Sequence, residues 1–103
     1  MAQYTISIFN CGAATPTVNA CDTISWKSVD PAPGRSYTLT GNMISQNALR
    51  GVQGPISVPS GGTPTDPYIV IGVRNTYTYN INGSPNCTNL DDGLTTPEII
   101  IEN

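Results

Sequence analysis

Cys11, Cys21 and Cys87 are the most reactive side chains in this 103-residue sequence. A thiolate attacks carbonyls, ligates metals or oxidises to a disulfide, and its neighbours decide which. There is no histidine anywhere in the chain. A cysteine nucleophile therefore has no imidazole to lower its pKa, and general acid–base chemistry near neutral pH lacks its usual carrier. Zinc requires a fourth ligand, and there is no Cys-x-x-Cys pair to anchor one. Two roles remain: buried cysteines acting as small apolar side chains, or a disulfide if the protein matures outside a reducing cytosol. Cys11 with Cys21, or Cys21 with Cys87, are the pairings expected, and an odd count leaves one thiol over.

Carboxylates are the next candidates. Asp91 or Asp92 set against Glu98 or Asp66 has the residue types of a glycoside hydrolase pair, but Asp91-Asp92-Gly93 reads as a turn. Asp66, Asp91 and Asp92, with Asn86 and Asn89 nearby, could surround calcium with oxygens; the spacing matches no EF-hand, and turn chemistry accounts for the same residues. The rings of Tyr4, Tyr37, Tyr68, Tyr77, Tyr79 and Trp26 offer flat faces for a glycan. Most occupy inward-compatible strand positions, where core packing with a polar tip at the rim explains them. Asn82-Gly83-Ser84 and Asn86-Cys87-Thr88 match the N-glycosylation pattern, as chance provides in a chain with ten Asn and thirteen Thr. With no nucleophile elbow and no phosphate-cradling loop, the expectation is a non-enzyme without a cofactor.

Composition narrows the partners. Charged residues are 11% of the chain, against about 25% in an ordinary soluble protein, so Thr, Asn and Ser must wet the surface. The net charge is −3, and Lys27, Arg35, Arg50 and Arg74 are scattered. That excludes the clustered cations of nucleic-acid binding and of docking on anionic lipid. No apolar run approaches the roughly 20 residues of a spanning helix, so no membrane insertion is expected. The opening residues show no basic leader and read directly as strand, so either a signal has been removed or the protein is made in the cytoplasm.

The elements that must position these groups are short. Nine prolines and ten glycines punctuate the chain too densely for long helices. Residues 3–9 alternate Tyr4, Ile6 and Ile8 with polar residues, the period of a half-buried strand. Residues 23–29 place Ile24 and Trp26 on one face, and Asp30-Pro31-Ala32-Pro33-Gly34 ends that run. Residues 35–40 alternate again around Tyr37 and Leu39. Residues 43–52 read as strand or irregular structure with at most one helical turn, and 56–58 as a brief strand. Residues 59–67 form a hairpin or inter-sheet loop. Residues 68–74 are apolar on both faces, as in a central strand covered on two sides. Residues 76–81 carry Tyr77, Tyr79 and Ile81 on one face, and pair with the preceding run only if Arg74 and Asn75 turn. The final Glu98-Ile99-Ile100-Ile101-Glu102 is too apolar for a free edge. It must lie inside its own sheet or join a neighbour's. Residues 1–103 thus form one all-β domain. A small antiparallel β-sandwich, Ig-like or jelly-roll-like, of seven or eight short strands is expected, with a small barrel as the alternative.

The stretch Thr76-Tyr77-Thr78-Tyr79-Asn80-Ile81-Asn82-Gly83-Ser84-Pro85-Asn86-Cys87-Thr88 resembles the closing strand of extracellular β-sandwich repeats in Bacteroidetes adhesins. Thr76, Tyr77, Thr78, Cys87 and Thr88 match its pattern, while Gly83 and Asn86 depart from it. Ser60-Gly61-Gly62-Thr63-Pro64 is similar to another element of those repeats. The resemblance covers about a quarter of the chain and implies a surface-exposed module for adhesion or assembly, in a host or phage of that group.

A virion component made in the host cytoplasm but acting outside it satisfies both signs. The leading expectation is therefore a structural protein such as a head decoration, fibre-base or tail accessory protein. It would be a homo-oligomer contacting other virion or surface-assembly proteins through Tyr4, Ile6 and Ile8 of the first strand and Ile99, Ile100 and Ile101 of the last. A cell-surface adhesin or filament module, or a glycan-binding lectin, are the alternatives.

Overall fold

The alternation of residues 3–9 becomes a strand whose even residues turn inward: Ile6 and Ile8 are buried while Gln3, Thr5 and Ser7 face solvent. In the computed structural model, residues 1–88 and 96–103 are described. Among them the chain runs through β1 (Gln3–Phe9), β2 (Gly12–Ala13), β3 (Thr17–Val18), β4 (Thr23–Ser28), β5 (Ser36–Thr40), α1 (Asn42–Ser45), β6 (Ile56–Val58), β7 (Tyr68–Ile69), β8 (Asn75–Thr78), β9 (Asn80–Ser84) and β10 (Glu98–Ile101).

One layer is the sheet β2-β1-β4-β7. The other combines two sheets, β3-β10-β8 and β6-β5-β9. They join because β8 and β9 are halves of one extended stretch broken at Tyr79, whose N–H donates to the Pro97 carbonyl at 3.0 Å. The chain therefore makes the all-β sandwich expected, with Trp26, Leu39, Tyr79, Ile99 and Ile101 buried among the residues between the layers. Pairing is mixed: β1 lies parallel to β4, and β3 parallel to β10. Parallel neighbours require crossovers between the layers, a feature that local alternation does not encode.

Several expectations hold in detail. The segment after β5 contains a single helical turn, α1. Residues 59–67 connect β6 to β7 across the layers. This loop is tied down where Thr65 exchanges bonds with Trp26, N–H to carbonyl at 2.8 Å and Trp26 N–H to Oγ1 at 3.1 Å.

Others are corrected. The apolar run 68–74 is not a doubly covered central strand. Only Tyr68–Ile69 pairs, at the edge of its sheet, followed by a bridge from Val70 to Leu49. The chain then bends past Gly72, where an added Cβ would lie 2.8 Å from the Tyr77 hydroxyl and 2.9 Å from Ile101 Cδ1. Ile71 and Val73 are left exposed. β7 and β8 form no hairpin, because they belong to opposite layers.

Of the two places expected for the last strand, the structure shows the one inside its own sheet. β10 is flanked by β3 and β8, and its Ile99 and Ile101 are buried in the chain's own core, with Ile100 half-buried. Ile99, Ile100 and Ile101 therefore do not present a subunit-pairing strand. In β1, Ile6 and Ile8 are buried and Tyr4 packs against the core, so these side chains serve the interior as well. The β1 backbone is a separate matter. β4 pairs along its length, but β2 pairs only with Ile8 and Phe9.

Candidate functional site

A dense polar arrangement lies at the pole where β1 ends. β1 and β2 are joined by Asn10-Cys11, both at positive φ (47° and 66°), the mirrored two-residue turn that matches strand twist. The turn directs Cys11 to Cys87, and the two form a disulfide with Cα atoms 6.0 Å apart. The Thr88 N–H donates to Asn10 Oδ1 at 2.8 Å, and Asn10 Nδ2 donates back to the Thr88 carbonyl.

Asp30 links this turn to the β4–β5 connection. Its carboxylate accepts from the Asn10 N–H at 2.9 Å and from the Tyr37 hydroxyl, and it pairs with Arg35 Nη1 at 3.2 Å. Tyr37 Oη accepts in turn from the Cys11 N–H at 3.4 Å. Arg35 Nε donates to the Pro85 carbonyl at 2.9 Å. The pole is thus clasped from several chain segments at once. Gly83 makes room for it: a Cβ there would lie 2.7 Å from Arg35 Cδ and 2.8 Å from Cys87 Sγ.

The electrostatics follow. Burial pushes the Asp30 carboxyl upward, but the bonds from Tyr37 and Asn10 and the Arg35 charge outweigh it, leaving the group below the ordinary carboxylate range. Burial first, and then the bond to Asp30, raise the Tyr37 phenol. Among the described residues every buried side-chain nitrogen and oxygen has a hydrogen-bond partner. Such an arrangement ties the segments of the pole to one another.

Exposed apolar side chains lie beside the clasp, together with the exposed polar residues Ser84, Asn86 and Thr88. Phe9 and Val29 are 57% and 43% exposed, and Pro31, Ala32 and Pro33 are exposed beside them. A groove of about 410 Å³ is lined by Lys27, Val29, Asp30, Ala32, Pro33 and Gly61-Gly62.

The cysteine pairing differs from both expected ones. β4 runs parallel to β1 with Thr23 beside Gln3, so Cys21 sits at the start of β1 and Cys11 beyond its end. Six residues of strand span about 20 Å, well over the roughly 7 Å limit for bridged Cα atoms. Cys21 is free and exposed. It adjoins Asp22, whose carboxylate accepts from the N–H groups of Ala2 at 2.8 Å and Asn19 at 2.9 Å. Those two bonds draw the Asp22 carboxyl below its ordinary value.

The remaining candidates do not converge. Asn89, Asp91 and Asp92 lie outside the described residues, Asp66 is in the exposed loop, and Glu98 is half-buried in β10. Among the described residues no three His, Cys, Asp or Glu side chains come together. Histidine is absent and Cys11 and Cys87 are bonded to each other, which leaves Cys21 as the free thiol. Trp26, Tyr37, Tyr77 and Tyr79 are buried, with Tyr4 and Tyr68 half-buried, so these rings build no open platform for a sugar. Asn10, Asp30 and Arg35 carry the clasp, yet nothing in their local spacing announces it. The local signal that could find it is the run of turn-favouring residue types from Asn10 to Gly12.

No protein-family model and no curated protein matches the sequence. Among solved structures, the chain is similar to an oxidised methionine-to-lysine mutant of amicyanin (TM-score 0.49, 15% identity, covering 95% of this chain and 80% of that one). It is also similar to a reduced Cu(I) form of a proline-to-glycine mutant of amicyanin (TM-score 0.48, 16% identity, 95% and 80% covered). Likeness of this degree carries no functional implication.

Proposed function

We propose that this chain is a non-enzymatic structural and interaction module of a protein assembly exposed to an oxidising exterior, such as a virion surface. The observation that carries the reading is the clasped pole, where the Cys11–Cys87 disulfide and the Asp30–Arg35–Tyr37 network hold Phe9, Val29 and the proline-rich turn in one fixed arrangement. Disulfides persist outside reducing compartments, and a rigid apolar patch with a polar rim is the surface a protein partner uses. The likeness of residues 76–88 to extracellular adhesin repeats supports the same setting, with a cell-surface adhesin module as the second reading.

The test is the state of the protein in its native source. Thiol-labelling mass spectrometry of particle and soluble fractions should find it with the particles or cell surfaces, Cys11 and Cys87 oxidised and Cys21 alone labelled. Recovery only as a reduced protein in the soluble cytosolic fraction would overturn the reading.

A further inference from the structure

The sheet edges differ in how they are protected. β6 is three residues long and set between Pro55 and Pro59. β7 is covered by residues 48–50: the Arg50 N–H donates to the Ile69 carbonyl, and the Ile71 N–H to that of Ala48, both at 2.9 Å. α1 packs against β8, where Asn42 Nδ2 donates to Thr78 Oγ1 at 3.2 Å. β2 and β3 are two residues each. Natural sheets blunt their edges in these ways, because an open row of N–H and C=O groups recruits another strand.

The start of β1 has none of these devices. The Thr23 N–H donates to the Ala2 carbonyl and the Val29 N–H to that of Ile8, so the even residues of β1 turn their backbone groups toward β4. Those of Gln3 and Thr5 point away from it, and among the described residues no strand receives them. Gln3–Ser7 holds no charge and no proline, and Gln3, Thr5 and Ser7 are exposed.

We propose that this edge pairs with the same edge of a second copy, antiparallel and centred on Tyr4. Gln3 of each copy then lies opposite Thr5 of the other, and the two pairs exchange roughly four N–H···O bonds. Tyr4 faces Tyr4, an aromatic cross-strand pair of the favourable kind. No like charges meet, and the contact is the self-complementary type that closes a twofold dimer. The pairing extends the β2-β1-β4-β7 sheet across both molecules and leaves the clasped pole free for other partners. It names the partner of one surface within the assembly reading and rests on that reading, but it is tested separately.

The experiment is light scattering over a concentration series, in a Cys21→Ser background so that no intermolecular disulfide contributes. The unsubstituted edge should rise from 10.9 kDa to twice that mass. Gln3→Pro and Thr5→Pro each remove an N–H that faces away from β4 and should hold the protein at the monomer mass, with Trp26 fluorescence unchanged as the check on folding. If Thr5→Pro unfolds, Gln3→Pro decides alone. A monomer at every concentration, or a dimer indifferent to Gln3→Pro, would overturn the β1 contact. Neither result would bear on whether the protein resides with particles, which the native-source measurement reads.

Discussion

Trp26 Nε1 donates to the Tyr79 hydroxyl at 3.2 Å across the two layers, with the rings edge to face at 5.9 Å between centroids. Both residues are buried, so neither polar atom has water as an alternative. Tyr79→Phe strands the indole N–H and should cost about 1–3 kcal/mol, read as a lower urea midpoint. Burial raises the Tyr79 phenol while the Trp26 bond pulls the other way. A raised phenol contributes stability that is whole below about pH 10 and lost as pH climbs through the folded value. Tyr79→Phe should flatten that alkaline decline.

The Cys11–Cys87 bridge closes a loop across a sequence separation of 76 residues. In the chain-entropy description a loop of that size contributes about 4–5 kcal/mol. The Cys11→Ser, Cys87→Ser double variant should therefore unfold at a much lower denaturant concentration, while Cys21→Ser, at an exposed thiol, should stay within about 0.5 kcal/mol of the parent. Equal melting of the two would remove the disulfide from the account.

Acid should act through the two poles. The Asp30 and Asp22 carboxyls are both held below their ordinary value, so their contributions are present above about pH 4 and fall away as pH drops through the folded values. Asp30→Asn and Asp22→Asn should each give a shallower fall in stability between neutral and strongly acid pH, measured by urea titration at successive pH values.

Gly72 is a packing constraint, since its Cβ position is filled by Tyr77 and Ile101. Gly72→Ala should destabilise by about 1–3 kcal/mol through overpacking, and the loss should be smaller with Tyr77→Phe, which removes the hydroxyl in the way. Additive losses would show the crowding to be relieved elsewhere.

What could be read from sequence was what short-range periodicity encodes. The alternations around Ile6, Trp26, Leu39 and Tyr77 gave strands with the correct faces inward, and the glycines flanking residues 43–52 limited that segment to one turn. The run 68–74 misleads because the same apolar residues suit an edge strand followed by a bend, and the obstacle at Gly72 comes from Tyr77 and Ile101 in the other layer. Pairing of Cys11 with Cys87 depends on which strand ends share a pole, and so on the parallel placement of β1 beside β4, which no local pattern specifies. Asp30 read as a strand terminator, and its contacts with Asn10, Arg35 and Tyr37 arise only once the layers close.

The claim that the molecule works by assembling is tested most directly at one amide. Hydrogen exchange of the Thr5 N–H should slow as protein concentration rises through the dimerising range, while Ile6, whose N–H turns toward β4, stays protected throughout. Thr5 exchanging at one rate at every concentration would contradict the account.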